Sequence, residues 1–190
     1  SSNEYNLVEL NSCESGINKV CSTQLDLSGF SGEQVQYFFN VSDFITSTMS
    51  DNVSINIDNE FPQITINEPE DGNSFNIKKI NFNITVDEEV SLLEYADFSV
   101  QAPKFKKLCK NCDSANKKIS FNDGAHSVKI RATDFAGHST LSDPINFFID
   151  TKEPKIVNIE PENGEIISNG TIFKIKYTET NLNEVKLVLE

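Results

Sequence analysis

The four cysteines are the residues of this chain best suited to chemistry, and they form two local pairs. Cys13 and Cys21 make the first pair, and Cys109 and Cys112 make the second. A Cys-x-x-Cys sequence can bind zinc, act as a redox centre or close a disulfide. It supplies only two zinc ligands, and residues 107–117 around it predict a loop rather than the helix that a thioredoxin-like centre opens.

Carboxylates that recur near two proline-containing joints are the second candidate site. They are Asp43, Asp58, Glu68 and Asp71 at the first joint, and Asp134, Asp150, Glu160 and Glu162 at the second. Carboxylates gathered at one end of a domain could chelate calcium, which takes six to eight oxygens. The alternative is that these side chains only cap turns through local hydrogen bonds. No contiguous calcium loop of the D-x-[DN]-x-[DN]-G type is present.

Catalytic patterns find little support in the sequence. His126 is placed at a polar position of an alternating strand and His138 in a turn, so both are predicted to be exposed structural residues. The chain contains no Gly-x-Ser-x-Gly, phosphate-loop or paired-histidine motif. We therefore predict that it is not an enzyme and needs no cofactor, with calcium as the one candidate ion.

Two further surface features are predicted. Asn-x-Ser/Thr acceptor sites for glycans occur at Asn40, Asn52, Asn83 and Asn169. Beside the second cysteine pair lies a basic cluster, Lys104, Lys106, Lys107 and Lys110. The cluster is interpreted as a solvated loop or as a contact for an acidic neighbour.

Composition narrows the class of protein. The formal charge is −13, which argues against nucleic-acid binding because that function needs a basic face. No run of 18 apolar residues is present, so no segment of this chain is predicted to span a membrane. Leucine, alanine and methionine are scarce relative to β-branched and aromatic residues, which favours strands.

An internal repeat carries the prediction of the fold. The pairs Asp58/Asp150, Pro62/Pro154, Pro69/Pro161 and Gly72/Gly164 are each 92 residues apart, and Asp43/Asp134 are 91 apart. This period is the size of one β-sandwich domain. Alternating segments such as 82–86, 128–132 and 145–149, separated by turn signals, predict an all-β fold of tandem immunoglobulin-like sandwiches.

The repeat also bears on the cysteines. Subtracting 92 from Cys109 and Cys112 gives positions 17 and 20, between Cys13 and Cys21. Both pairs therefore occupy the same loop of the repeat, which favours two disulfides within loops, 13–21 and 109–112, in an oxidising compartment.

The segment 123–156 resembles the closing half of bacterial and archaeal Ig-like (or fibronectin type III-like) cell-surface repeats. The matching residues are Gly124, Asp134, Gly137, Asp150, Thr151 and Pro154. The first repeat matches less well, because Asn59 replaces the threonine and no glycine follows Asp43 in the same way. The resemblance implies spacers or adhesive modules, as in S-layer-type proteins and adhesins.

The repeat predicts three segments: the second half of one Ig-like repeat at 1–61, a complete repeat at 62–153 and the first half of another at 154–190. Prolines after the last strand of each repeat predict short, semi-rigid joints. Half-repeats at both ends are expected either in a piece of a longer array, the simpler explanation, or in a chain whose halves complement those of neighbouring copies head-to-tail, building a filament.

The predicted function is structural: an extracellular, cell-surface rod or S-layer-like lattice component whose partners are neighbouring repeats or copies of itself. Two alternatives remain, a ligand-binding adhesin module and a noncatalytic accessory region of a secreted enzyme. An accessory region that binds sugar is the less expected kind of accessory region. Sugar binding normally uses exposed aromatic side chains, and the chain has no tryptophan and only 4 tyrosines.

Overall fold

The computed structural model describes residues 8–10 and 13–189. It is an all-β protein with strands from Gln34 to Thr178 and one short 3-10 turn at Ser28–Phe30. Contacts divide the chain into two compact units, Ser1–Phe61 with Ala136–His138, and Pro62–Phe135 with Ser139–Glu190. No helix in the described residues is long and apolar enough to cross a membrane.

The first unit contains two small antiparallel sheets. Its strands are β1 (Gln34–Tyr37), β2 (Asn40–Ser42), β3 (Ser47–Met49) and β4 (Val53–Asn56). Strand β1 pairs with β4, and β2 pairs with β3. We call residues 1–61 the first segment.

The second unit contains eleven further strands. They are β5 (Ile64–Glu68), β6 (Ser74–Phe75), β7 (Lys79–Val90), β8 (Leu92–Asp97), β9 (Lys106–Cys109), β10 (Cys112–Ser120), β11 (Gly124–Thr133), β12 (Ser139–Leu141), β13 (Ile145–Ile149), β14 (Lys155–Glu160) and β15 (Lys174–Thr178). Strands β5 to β13 lie in residues 62–153, which we call the middle sandwich. Strands β14 and β15 pair with each other in residues 154–190, the third segment.

Two sheets form the middle sandwich. The first has the order β10-β7-β5, and the second has the order β6-β13-β11-β8-β9 with β12 beside β11. The alternating sequence of β7 explains the arrangement, because every second side chain from Ile80 to Val86 is buried. Phe82 of the first sheet and Phe147 of the second meet with ring centroids 6.2 Å apart. The prediction of an all-β sandwich fold is confirmed.

The strand registers reproduce the sequence repeat. The pair Tyr37–Val53 in the first segment corresponds to Val128–Ile145 in the middle sandwich, at offsets of 91 and 92 residues. The hairpin pairs Asn40–Met49 and Arg131–Leu141 correspond in the same way. The one-residue difference therefore lies in the hairpin turn, residues 43–46 in one case and 134–138 in the other. The longer turn contains Gly137 at φ +98°, a conformation that favours glycine.

Strand β8 ends at Asp97, and the Phe98 side chain that follows it is exposed. The chain turns there because Asp97 accepts hydrogen bonds from Ser99 through both its backbone N–H and its hydroxyl.

The buried aromatic centre gives a first prediction. Phe82 is fully buried and contacts the rings of Tyr95, Phe121 and Phe147. We expect Phe82→Ala to lower the free energy of unfolding by about 3–5 kcal/mol, because it removes apolar burial and leaves a cavity. Urea unfolding followed by circular dichroism measures this. The exposed Phe135 provides the control, and Phe135→Ala should change stability by less than about 0.5 kcal/mol. Equal effects of the two substitutions would contradict the assigned core.

Candidate functional site

Both predicted disulfides are formed in the structure. Cys13 bonds to Cys21 across 5.2 Å between Cα atoms, and Cys109 bonds to Cys112 across 6.3 Å. Both distances fall within the range that disulfides require. The described residues contain no free cysteine, and both pairs form the disulfides that the sequence favours.

The second disulfide closes a corner between the two sheets. Cys109 is the last residue of β9, which belongs to the second sheet, and Cys112 is the first residue of β10, which belongs to the first sheet. Asn111 has φ +50°, which fits the two-residue turn. The prediction of a loop around this pair is therefore wrong: both cysteines lie at strand ends, and the bond fastens the chain where it crosses between sheets.

Lysines line the edge of the sandwich beside this corner. They are Lys104, Lys106, Lys107 and Lys110 of the predicted cluster, with Lys117 and Lys118 of β10. Strands β9 and β10 are edge strands of their sheets, and lysine on an edge discourages the addition of another strand. Lys106 lies over the Tyr95 ring at 5.9 Å, and Lys117 donates to the Lys107 carbonyl at 3.4 Å. Contact of this cluster with an acidic neighbour remains a prediction.

His126 lies inside the sandwich rather than on its surface. Its side chain is only 10% exposed, which corrects the prediction that it is exposed. Nδ1 lies 2.7 Å from an Asp97 carboxylate oxygen, and Nε2 lies 2.9 Å from the Asn122 carbonyl oxygen. Both neighbours are hydrogen-bond acceptors, so each ring nitrogen lies against an oxygen of the protein. The ring also stacks on Phe147 at 5.3 Å.

The Asp97 carboxylate accepts the hydrogen bonds of this cluster. Burial opposes ionisation of its carboxyl, but hydrogen bonds from Ser99, His126 and the Ser127 backbone outweigh burial, so the pKa of Asp97 lies below its usual value. The Ser99 hydroxyl donates to Asp97 at 2.7 Å, so this serine is not paired with the imidazole as a nucleophile would be. The arrangement fastens β8 to β11 and supports a structural role for His126.

A second polar cluster covers the outer side of the same two strands. Arg131 of β11 pairs with Glu94 of β8 at 2.5 Å, and its guanidinium lies 3.7 Å from the centroid of the Phe105 ring. Phe98 meets Phe105 edge to face at 6.2 Å, and Ala96 of β8 is buried. This cluster could not be predicted from the sequence, because only the pairing register places residue 131 opposite residue 94.

Three of the eight candidate calcium carboxylates cap their own turns. Asp43 accepts from the backbone N–H groups of Thr46 and Ile45, and these bonds lower the pKa of its carboxyl. Asp58 accepts from the backbone of Glu60, and Asp150 accepts from that of Lys152, each at 3.0 Å. These contacts support the capping alternative for the three residues.

The other five carboxylates lie in different surroundings. Asp71 accepts from the Asn146 backbone at 2.7 Å and so joins the turn after β5 to β13. Glu68 accepts from Asn81 at 2.6 Å, Glu160 pairs with Lys174 at 3.0 Å, and Glu162 is exposed. Asp134 is buried. Calcium binding by this set remains a prediction.

The predicted glycan acceptors lie in contrasting environments. Asn40 and Asn52 are exposed in or beside short strands of the first segment, and Asn169 is exposed in the turn that joins β14 to β15. Asn83 is half-buried in β7, the central strand of its sheet. Glycosylation remains a prediction, and accessibility favours Asn169 over Asn83.

The corner disulfide yields a prediction on stability. We expect the double variant Cys109→Ala/Cys112→Ala to lose about 2 kcal/mol in the unfolding of the middle sandwich, from the chain-entropy term for so short a loop. Chemical denaturation monitored by circular dichroism measures this loss. The matched control is Cys13→Ala/Cys21→Ala, which alters only the first segment. A larger shift in the control than in the corner variant would contradict the proposed role of the corner.

The Asp97–His126 pair yields a prediction on pH dependence. At neutral pH we expect Asp97→Asn to lower the free energy of unfolding by about 1–3 kcal/mol, because the charge-assisted bonds from His126 and Ser99 are weakened. The depressed pKa of Asp97 means that its contribution is present above the usual aspartate pKa of about 3.9 and is lost as pH falls through the folded value.

Denaturation curves over a range of pH test this dependence. The difference between wild type and Asp97→Asn should shrink on acidification, whereas Asp113→Asn, at an exposed position, should show little difference at any pH. A difference that does not depend on pH would refute the assigned ionised state.

Comparison with known proteins gives resemblances both in sequence and in structure. No protein-family model matches the chain. Bacillopeptidase F from Bacillus subtilis (strain 168) is 26% identical over 133 residues, which cover 70% of this chain but 9% of that protein. Among solved structures, the fibronectin(III)-like modules of Clostridium thermocellum CbhA are similar, with 22% identity and a TM-score of 0.40 over 48% of this chain and 99% of that chain. The chain thus spans under a tenth of the curated relative that it matches.

Proposed function

We propose that this chain is a noncatalytic, extracellular structural region, a series of Ig-like sandwiches that acts as a spacer in a larger rod or lattice. The geometry of the joint after the middle sandwich carries the proposal. A spacer holds the regions on either side of it at a fixed distance only if its joints resist bending. The contacts at that joint therefore decide between a spacer and a flexible tether.

The joint is short and is held by one carboxylate. Residues 150–154 separate β13 from β14 and end at Pro154, which restricts the backbone. Asp150 accepts from the Lys152 backbone through one oxygen at 3.0 Å and from the Asn181 side chain of the third segment through the other at 2.7 Å. The bond from Asn181, followed by that from Lys152, lowers the pKa of Asp150, so the carboxylate stays ionised at neutral pH.

Disulfides and surface charge support the extracellular assignment. Both cysteine pairs form disulfides of the kind that persist in oxidising compartments. The charge of −13 keeps such a chain soluble at high local concentration. Within this proposal, an S-layer-like lattice at the cell surface is the more specific form.

The noncatalytic assignment follows from the buried histidine. His126 is held between Asp97 and the Asn122 carbonyl, and the nearby Ser99 donates to the aspartate. Both ring nitrogens of His126 face protein oxygens and Ser99 donates to Asp97 rather than to the imidazole, which supports a structural role for the histidine.

A second candidate function is an accessory region of a larger peptidase. The similarity to part of Bacillopeptidase F favours it, since the matched residues form a minor part of that protein. In this alternative the sandwiches would position a catalytic domain on the same polypeptide, and peptidase activity would be absent from the 190-residue chain itself. A ligand-binding adhesin module, in contrast, would use the polar loops.

Distance measurements between spin labels test the spacer. Labels introduced at Ser120 and Asn169, both exposed, report the distance across the joint by double electron–electron resonance. We expect a narrow distribution in the otherwise unchanged chain and a broader one in Asp150→Ala, because the bond from Asn181 is lost. Asp143→Ala, at an exposed position near the joint, is the control and should keep the narrow distribution.

Samples for this measurement are kept dilute enough that light scattering reports a monomer, so that association does not contribute. A broad distribution in the unchanged chain would refute a stiff joint and with it the spacer proposal.

A further inference from the structure

The turn before β15 carries an asparagine followed by a glycine. The Thr171 N–H donates to the Ser168 carbonyl at 3.2 Å, and the Thr171 hydroxyl donates to the same oxygen at 2.7 Å. Gly170 lies at the third position of this turn with φ +87°, a conformation that favours glycine. Asn169 and Gly170 are both exposed. The turn therefore presents an Asn-Gly peptide bond to solvent.

An asparagine that precedes a glycine can react with its own backbone. The backbone nitrogen of the glycine attacks the side-chain carbonyl carbon of the asparagine, closes a cyclic succinimide and expels ammonia. Water then opens the ring at one of its two carbonyl groups and leaves either aspartate or isoaspartate. Glycine permits the attack because it has no Cβ to shield the nitrogen.

Both reacting groups are accessible at this turn. Within the described part of the chain, neither the Gly170 N–H nor the Asn169 side-chain amide takes part in a hydrogen bond. Apart from the chain neighbours of Gly170, no atom lies within 4 Å of the position that a Cβ would take there. No bond has to break and no neighbour has to move before the nitrogen of Gly170 approaches the amide of Asn169.

A turn of similar sequence in the middle sandwich is closed instead. There the Gly72 N–H donates to the Asn146 carbonyl at 2.7 Å, and the carboxylate of Asp71 accepts from the Asn146 backbone at 2.7 Å. Both groups that would form a succinimide are thus held by β13. The pair Asn163–Gly164 lies 92 residues after this closed pair, so the inference concerns Asn169 alone.

The exposure of Asn169 is a property of the turn that contains it. Ile77 lies 92 residues earlier, in the turn before β7. It is 56% exposed, although both sheets of the middle sandwich are in place around that turn. The position is therefore open to solvent in a full sandwich as well.

We propose that Asn169–Gly170 is a self-modification site, at which the chain deamidates spontaneously to aspartate and isoaspartate. This inference goes beyond the spacer function and does not depend on it. Each event replaces a neutral amide by a carboxylate and so makes the chain more acidic. Isoaspartate also adds a methylene to the backbone of the turn, which disturbs the geometry of the two hydrogen bonds from Thr171 to Ser168.

The reaction competes with glycosylation for one nitrogen atom. Asn169 begins the acceptor sequence Asn169-Gly170-Thr171, in which a glycan attaches to the side-chain nitrogen of the asparagine. Deamidation expels that nitrogen as ammonia. A chain that has deamidated at this position can therefore no longer be glycosylated there.

Incubation of the 190-residue chain in mildly alkaline buffer, followed by peptide mapping, tests the proposal. The chain is produced in a host that does not glycosylate it. Cleavage after glutamate in acidic buffer, which stops further reaction, releases residues 166–179 with Asn169 as the sole asparagine. We expect mass spectrometry to show conversion of this amide to a carboxyl group, and electron-transfer fragmentation to show both isoaspartate and aspartate. The rate should fall in mildly acidic buffer, because the attacking nitrogen must lose its proton.

Two controls make the test specific. Asn52 and Val53 are both exposed, but the valine is branched at Cβ and shields its own nitrogen. Deamidation at Asn169 should therefore be on the order of ten times faster than at Asn52. The variant Asn169→Gln would have to close a larger ring, so its peptide 166–179 should stay unchanged over the same incubation.

Four results would overturn the proposal. They are a peptide 166–179 that stays unchanged, a rate at Asn169 no higher than that at Asn52, aspartate formed without isoaspartate, and a rate that does not rise with pH. The third result would indicate direct hydrolysis of the amide in place of a succinimide.

Discussion

The face-to-face packing of two sheets is the constraint on which the rest of the structure depends. A strand that alternates apolar and polar residues buries only one side, and that side is stable only against a second sheet. In the middle sandwich the opposing faces meet around Phe82 and Phe147, and buried residues of β7, β8, β11 and β13 surround them. Because some neighbouring strands in sequence, such as β9 and β10, belong to different sheets, the chain crosses between the sheets at several points.

The polar contacts of the sandwich reinforce that packing where it is weakest. The Cys109–Cys112 bond fastens one crossing, between β9 and β10. On the inner side of β8 and β11, the His126 ring and the Asp97 carboxylate form a hydrogen bond near the end of the core. On the outer side, Arg131 holds Glu94 and the Phe105 ring together. Both side-chain pairs join β8 to β11, strands that are distant in sequence.

Local patterns account for what the sequence could predict. Alternation at 128–132 predicts a strand with one buried side, and the repeated Asp, Pro and Gly positions predict the period and even the one-residue difference, which the structure places in a hairpin turn. The burial of His126 could not be predicted, because its neighbours Asp97 and Asn122 approach it only once β8 and β11 are paired. The cysteine corner was taken for a loop because Lys110 and Asn111 are turn residues, while the strands on either side are short or rich in lysine.

The repeat makes it possible to compare the burial of residues that occupy equivalent strand positions. Exposed apolar residues are common on protein surfaces, and a single exposed Phe39 or Ile175 would need no explanation. Here each occupies a position whose counterpart in the same register is buried, and the exposed positions of the first and third segments belong to opposite faces of one interface. The apolar area of such a sheet face stays in contact with water, which is unfavourable in free energy, until a complementary face covers it.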